Sequence, residues 1–486
     1  MRRVPRTPIL ILVVGLLVAA VVFQHRDEPE APSVAGTAAA AEDLGLPPAN
    51  ALSASWYCAE GTSADGGRAA ETVIVSSLAD TDITATVTVM PGGKEVPVSR
   101  TLQIGAHQQE RLAVAEVLAT AEPGVVVEVT GGQASVAHEI AGTDDVATEP
   151  CARSANRDWY FAGGTTVRGT QQYLVLFDPF GDDAVVDVSF VTDNGVQEPD
   201  QLQGLVVSRR SRVSVPVHDL VPRQQLVAIS VHARAGRVVA ERSMLFDGTT
   251  PDEAPTRRGI ALSLGAPSPA RAWTLPFGST ADAGSARIGV ANFGTTASTV
   301  EIDVLLDNQQ SLTPVSMSVP ARSVVSVDVS DRVPPGSQFA VRAFARTVEG
   351  HAAPLVVEML SWWPEDSNST AAASALGSTR PARRWVVAYP AVEADGTVTV
   401  VNPGTEAVTA ELRVYRADGG DPLSAPAAAI EPGQFATFSL AALGIERDRV
   451  IIVVADADVV VGVTYMGVAG VAMMAAVPDF GFGLPV

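Results

Sequence analysis

Four tryptophans recur at near-equal intervals in this chain, and the segments between them match in content. SWYCAEG opens the series at Trp56, followed by DWYFAGG at Trp159, AWTLPFG at Trp273 and RWVVAYP at Trp385, with separations of 103, 114 and 112 residues. After each comes an extended segment, a turn and an alternating strand: TVIVSSLADTDITATVTVM, YLVLFDPFGDDAVVDVSFV, RIGVANFGTTASTVEIDVLL and TVTVVNPGTEAVTAELRVY. Regular spacing with matched content implies one supersecondary unit used four times.

The turns are written in residues with a local preference for turning. Asp178-Pro179, Asn292-Phe293-Gly294 and Asn402-Pro403-Gly404 occupy the same place in three units. Asn and Asp side chains bond nearby backbone, Pro fixes one dihedral and Gly accepts positive φ. VDVSFV and VEIDVLL partly alternate apolar with polar residues, the period of a strand with one buried face. Further matched blocks follow, among them the closing strands ASVAHEIAG, VVAERSMLF, PLVVEMLSWW and VVVGVTYMG. The count comes to about six or seven strands in about 108 residues, the scale of an Ig-type sandwich. A propeller blade needs only about 40 to 50 residues and four strands.

The fold class expected is therefore all-β: four tandem Ig-like β-sandwich repeats after an N-terminal transmembrane helix. The anchor rests on Arg2, Arg3 and Arg6 ahead of the apolar run Ile9 to Phe23. Positive charge is retained in the cytoplasm, and the remainder passes outward. Cleavage after Ala20 is the alternative, giving a secreted chain. Residues 1–23 are assigned to the cytoplasmic N-terminus and membrane anchor, and 24–52 to a flexible spacer rich in Ala, Pro and Glu. The repeats occupy 53–146, 147–248, 249–366 and 367–486, the last two each including a linker, with DGTTPDEAPTRRGI as the clearest linker. A linear array is expected. Each Trp (Trp56, Trp159, Trp273, Trp385) is expected to anchor the core between sheets.

Cys58 and Cys151 are the two cysteines, and in an exported chain they imply one disulfide. It would tie the first unit to the lead-in of the second. A formal charge of −21 argues against nucleic-acid partners, which demand a basic stripe. No catalytic, cofactor-binding or metal-binding residue is assigned. HEIAG at His138 has glycine where a second zinc ligand would stand, and there is no nucleophile elbow, P-loop or dinucleotide fingerprint. The acids Asp178, Asp182 and Asp183 read as a solvated turn, since calcium requires six or more converging oxygens.

Glu241 sits between apolar residues in VVAERSMLF and has counterparts by position in Glu358, in His138 or Glu139, and in Gly462. An acid repeated in some units and dropped in another reads as structural, accepting hydrogen bonds from a turn or an arginine. Asn292 and Asn402 are further marks of the repeat. SWWP at Ser361 to Pro364 places Trp362 and Trp363 beside a polar loop, which reads as an aromatic cluster at a domain junction or, alternatively, as a glycan contact.

The Trp-to-ERSM units and Asn-Pro-Gly turns resemble a broad class of bacterial surface proteins. Over about residues 50 to 480 the chain resembles an uncharacterised family of membrane-anchored exported proteins of high-GC Gram-positive bacteria, most strongly in the second unit. The resemblance implies an extracellular β-domain protein and no established enzymatic activity. The function expected is a non-enzymatic, membrane-anchored extracytoplasmic scaffold or protein-binding protein, with an envelope protein or glycan as partner. The alternatives are a carbohydrate-binding accessory in envelope polysaccharide assembly and, behind it, a carboxylate-dependent hydrolase.

Overall fold

Strand pairing in the computed structural model recurs as the sequence does. The structure describes residues 45–481 apart from 94, 143–144, 250–255, 281–283, 308–311, 347–352, 365–368, 391–393, 416–421, 446–448 and 468–469. The expected anchor, and the spacer as far as residue 44, lie outside the described residues. Among the described residues no helix is long and apolar enough to cross a membrane. The chain is nearly all β, in several sheets.

The first quarter sets the pattern with eight strands: Ser53–Cys58, Ala70–Ser77, Ile83–Met90, Val98–Ile104, Gln109–Ala113, Gly124–Thr130, Ala134–Ala141 and Val146–Pro150. One sheet runs first-sixth-third-fourth, the other fifth-second-seventh-eighth. The second quarter repeats both orders. Its first strand is Asp158–Gly164, its second Thr170–Asp178, its seventh Val239–Asp247 and its eighth Thr256–Leu264. The third does so with Ala272–Leu275, Ser285–Asn292, Val356–Pro364 and Ser369–Leu376 in the same places. In the fourth, Ala382–Val387 and Asp395–Val401 are first and second, the long strand Ile451–Gly467 serves as both sixth and seventh, and Gly470–Ala475 is eighth.

Alternation explains the third strands. In Ala184–Thr192 and Ser298–Leu306 buried Val, Ile, Leu and Phe take turns with Val185, Asp187 and Ser189 or with Thr299, Glu301 and Asp303. One face meets the core and the other does not. The seventh strands are buried along almost their whole length, Val239–Asp247 from Val239 to Ser243 without interruption. A strand covered on both faces loses the period-two signature, and the polar residues in it require partners.

Two expectations need correction. The count of six or seven strands missed the eighth, which comes from the lead-in ahead of the next Trp. STAAASAL and TRRGIALSL carry small residues and no clear alternation because they lie between other strands. Nor are the quarters strung out in a line. The eighth strand of the first quarter packs on those of the second and fourth, and the eighth strand of the third packs on the same two. Thr256–Arg258 pairs in parallel with Ser369–Ala371, merging sheets of the second and third quarters into eight strands. The cycle closes between fourth and first: Gln109 Nε2 donates to Tyr389 O at 3.1 Å, Arg111 Nη2 to Pro390 O at 2.9 Å and Leu46 N to Pro478 O at 2.8 Å.

Cys58 and Cys151 form a disulfide, Cα atoms 4.8 Å apart, joining the first strand to the segment after the eighth. The other quarters explain why cysteines fit there. Phe161 and Leu275 stand where Cys58 does, two residues past Trp, and face Gly265 and Gly377, the counterparts of Cys151. A Cβ on Gly265 would lie 2.9 Å from Phe161 Cζ, and one on Gly377 3.2 Å from Leu275 Cγ. A large side chain opposite glycine is exchanged for two small ones joined by a bond.

Candidate functional site

The Trp residues position the junctions between quarters. Trp159 Nε1 donates to Val238 O at 2.6 Å, Trp273 Nε1 to Leu355 O at 2.8 Å and Trp385 Nε1 to Val459 O at 3.0 Å. Each acceptor immediately precedes, or begins, the seventh-strand pairing. This ties the first strand to the start of the seventh. Just beyond, the third and fourth residues after Trp present their backbone to the following quarter.

Glu358 Oε2 accepts N–H groups of Ala162 at 3.0 Å and Gly163 at 2.8 Å, the two residues in question after Trp159. Glu241 Oε2 accepts Glu60 N at 2.7 Å, the fourth residue after Trp56. Carboxylates on the seventh strand thus cap backbone donors of the preceding quarter. At the third junction the corresponding residues are Pro276, which has no N–H, and Phe277. Gly462 stands opposite, where a Cβ would lie 2.5 Å from Pro276 Cγ and 2.6 Å from Phe277 Cδ1. With one of the two donors gone and no room for a side chain, the acid is replaced by glycine.

Register gives the fourth member. Glu241, Glu358 and Gly462 pair with Val175, Gly289 and Thr399 on second strands, and the equivalent pair in the first quarter is Ile74 with Ala137. Ala137 packs with Trp385 and Ala388 of the fourth quarter. The expected correspondence to His138 or Glu139 was therefore one or two residues off, and a one-residue step reverses the face.

At the second junction Arg242 completes the site. Its Nη1 donates to Glu358 Oε2 at 3.1 Å, its Nη2 bonds Glu358 Oε1, and Ser263 Oγ donates to that same oxygen at 2.6 Å. Arg242 and Glu358 are fully buried. The first junction is richer in charge. His138 Nδ1 lies 3.2 Å from Glu71 Oε1, and Nε2 lies 3.4 Å from Glu241 Oε2. Ser243 Oγ donates to Glu60 Oε2 at 2.7 Å, and Arg212 Nη1 lies 3.7 Å from Glu60 Oε1. Burial pulls His138 toward its neutral form, but Glu241 and Glu71 more than offset this and push its pKa up to about 9. Burial likewise raises Glu71, Glu241 and, most strongly, Glu149.

Glu149 lies where the four quarters meet. Pro150, Leu264, Leu376 and Ala475, one from each eighth strand in equivalent register, line a cavity of about 70 Å³ with Glu149, Cys151, Arg380 and Phe480 among its other walls. Glu149 Oε1 accepts Leu264 N at 3.3 Å, while Oε2 has no hydrogen-bond partner among the described residues. The disulfide borders this space through Cys151, and Cys58 Sγ, Cys151 Sγ and an imidazole nitrogen of His138 all lie within 4.8 Å of one another.

The structure brings together Glu241, Cys58 and Cys151 from the sequence-derived set, and sets Glu358 at the next junction. Asn292 and Asn402 serve turns: their side-chain oxygens accept Gly294 N at 3.0 Å and Gly404 N at 2.9 Å. Trp56, Trp159, Trp273 and Trp385 are buried. Trp362 and Trp363 are 3% and 2% exposed, so they do not form the open aromatic face a glycan would require. Trp362 instead packs with Met244, Phe246 and Ala261 of the second quarter, and the Arg257 guanidinium lies 4.2 Å from its ring. Sequence reasoning missed Glu71, Glu149 and Arg212 and, for metal binding, took from His138 only that HEIAG lacks a second zinc ligand. The available signal was an ionisable pair inside a small apolar strand, ASVAHEIA, buried from Ala134 to Ile140.

A family model described as a family of unknown function (DUF5719) matches residues 117–330. No curated protein matches the chain. Among solved structures, the chain is similar at 13% identity to the crystal structure of Thermotoga maritima 1070, over 23% of this chain and 94% of that one, with a TM-score of 0.20. It is similar at 10% identity to a Bacteroides uniformis β-glucuronidase 2 covalently bound to cyclophellitol-6-carboxylate aziridine and to a Bacteroides uniformis β-glucuronidase. Each covers 52% of this chain and 27% of its own length at a TM-score of 0.12.

Proposed function

We propose that this chain is a non-enzymatic extracytoplasmic scaffold or protein-binding protein, four Ig-like β-sandwich repeats locked to one another and anchored through the N-terminal apolar segment. The observation that carries the reading is the use made of the acids. Glu241 and Glu358, which a hydrolase would direct at a substrate, cap backbone N–H groups of the neighbouring quarter. Charge buried in this way fixes the relative position of the quarters and leaves recognition to outward loops and sheet faces. Affinity purification after crosslinking of intact cells is the direct test. Recovery of one envelope protein in stoichiometric amount supports the reading. Full accessibility of the folded chain to external protease tests the export on which it depends, and protection by an intact membrane would overturn it.

A second reading, a carbohydrate-binding accessory, is favoured by a groove between the second and third quarters. It has a volume of about 300 Å³ and is lined by Asp158, Tyr160, Glu198, His232, Phe293 and Arg322 among others. Tyr160 and Phe293 bring their rings within 5.0 Å, beside the Asp158–His232 pair at 2.7 Å. Aromatic rings with nearby acids and an arginine suit the apolar and hydroxyl faces of a sugar. Binding on a glycan array that is lost in Tyr160→Ala would establish it, and unchanged binding would remove this groove from the assignment.

A further inference from the structure

We propose that reduction of the Cys58–Cys151 disulfide turns the inner end of the central cavity into a site for a thiophilic divalent cation, zinc above all, held by Cys58 Sγ, Cys151 Sγ and His138 Nε2. Three independent observations converge on it. The two sulfurs and an imidazole nitrogen of His138 already lie within 4.8 Å of one another. The imidazole is held between two carboxylates, Nδ1 3.2 Å from Glu71 Oε1 and Nε2 3.4 Å from Glu241 Oε2, and becomes a ligand when Nε2 gives up its proton and exchanges Glu241 for the metal. A carboxylate on the far nitrogen fixes the tautomer and ring orientation of metal-binding histidines. Finally, Cys151 lines the cavity, which supplies an approach for a small ion and for a water as fourth ligand.

The chemistry balances in two steps. A phosphine attacks one sulfur, the S–S bond breaks, and water supplies the oxygen of the phosphine oxide while its protons leave two thiols. Zinc then displaces both thiol protons and the Nε2 proton of His138 to solvent and forms two Zn–S bonds and one Zn–N bond. Tetrahedral zinc with Zn–S near 2.3 Å sets the sulfurs about 3.8 Å apart, so the pair must separate from bonding distance. In the oxidised chain each sulfur is committed to the other, so binding depends on redox state. The buried acids Glu71, Glu149 and Glu241 around the site favour an added cation.

The test uses the full chain, reduced anaerobically by a phosphine and titrated with Co²⁺ as a spectroscopic probe. One equivalent is expected to give a thiolate-to-cobalt charge-transfer band and tetrahedral visible bands, displaced by Zn²⁺ and absent before reduction. His138→Gln should alter the visible bands and weaken binding at least about tenfold, and Glu71→Gln should weaken it about 10- to 100-fold while keeping the charge-transfer band. Zn²⁺ should also raise the melting temperature of the reduced chain, but not of the oxidised chain or of a Cys58→Ser/Cys151→Ser variant. A folded reduced chain without the stoichiometric band, a His138→Gln spectrum equal to that of the parent, or a reduced chain that unfolds and is not restored by zinc would each overturn the proposal.

Discussion

Asp178 departs from its siblings in a way that gives a measurable consequence. Asn292 and Asn402 occupy the equivalent turns, and each donates from Nδ2 to two carbonyls, Thr296 O and Val319 O or Glu406 O and Ile430 O. Asp178 keeps the acceptor role, taking Phe180 N at 2.9 Å, but an ionised carboxylate has no proton to donate. Burial raises its pKa from 3.8 to about 6. Because the folded value lies above the unfolded one, the folded chain binds the extra proton between them. The cost is absent below about pH 3.8, grows as pH rises and is complete above about pH 6. Asp178→Asn should therefore stabilise the protein by roughly 1–3 kcal/mol at pH 8 and by little at pH 3.5. Thermal melts of both proteins across that range check the sign. At Glu358 the expectation is opposite. Alanine there leaves Arg242 buried without its carboxylate and two N–H groups without an acceptor, for a loss of about 3–5 kcal/mol in denaturant unfolding.

Among the elements, the seventh strand decides how neighbouring quarters fit, and its variation follows what lies opposite. Two N–H donors call for an acid, whereas proline and a phenylalanine ring call for no side chain. Gly462→Ala should cost about 1–3 kcal/mol, since the added methyl meets Pro276 and Phe277. Phe277→Ala in the same chain should recover part of the loss at that contact, which a double-mutant cycle would read as a coupling between the two positions. The first-quarter disulfide is a second element-level device. It closes a loop over a separation of 93 residues. Replacing both cysteines with alanine should lower stability by about 2–4 kcal/mol in oxidising buffer and leave the reduced protein little changed.

For the whole molecule, the decisive feature is the meeting of the segment before the first quarter with the last described strand. Leu46 N donates to Pro478 O, and Gln133 Nε2 to Pro47 O at 2.7 Å, so the lead-in to the first quarter lies beside the final strand Val477–Asp479. A fold that begins and closes on adjoining segments tolerates new ends elsewhere. A circular permutant that links residue 481 to residue 45 and opens within 250–255 should fold with a single cooperative transition and a melting temperature within several degrees of the parent. An array strung out in a line would not survive such a joint, and loss of cooperative unfolding in the permutant would count against cyclic closure.

Local chemistry in the sequence was enough to read an all-β chain, the turns at Asn292 and Asn402, the buried tryptophans and the pairing of Cys58 with Cys151. Alternation, turn propensity and the pairing of two cysteines act through a few residues, or through a choice with one solution. The eighth strands escaped because burial on both sides erases alternation, and His138, Glu71 and Glu149 escaped because their partners are distant in the chain. Glu241 and the N–H it caps are 181 residues apart, and Glu358 and Ala162 are 196 apart. By itself the sequence specified a β-rich chain with recurring strand and turn patterns. Only the tertiary structure determined that the quarters close on one another, which acids satisfy which backbone groups and where the central cavity forms, since those depend on surfaces that meet only after each quarter has folded.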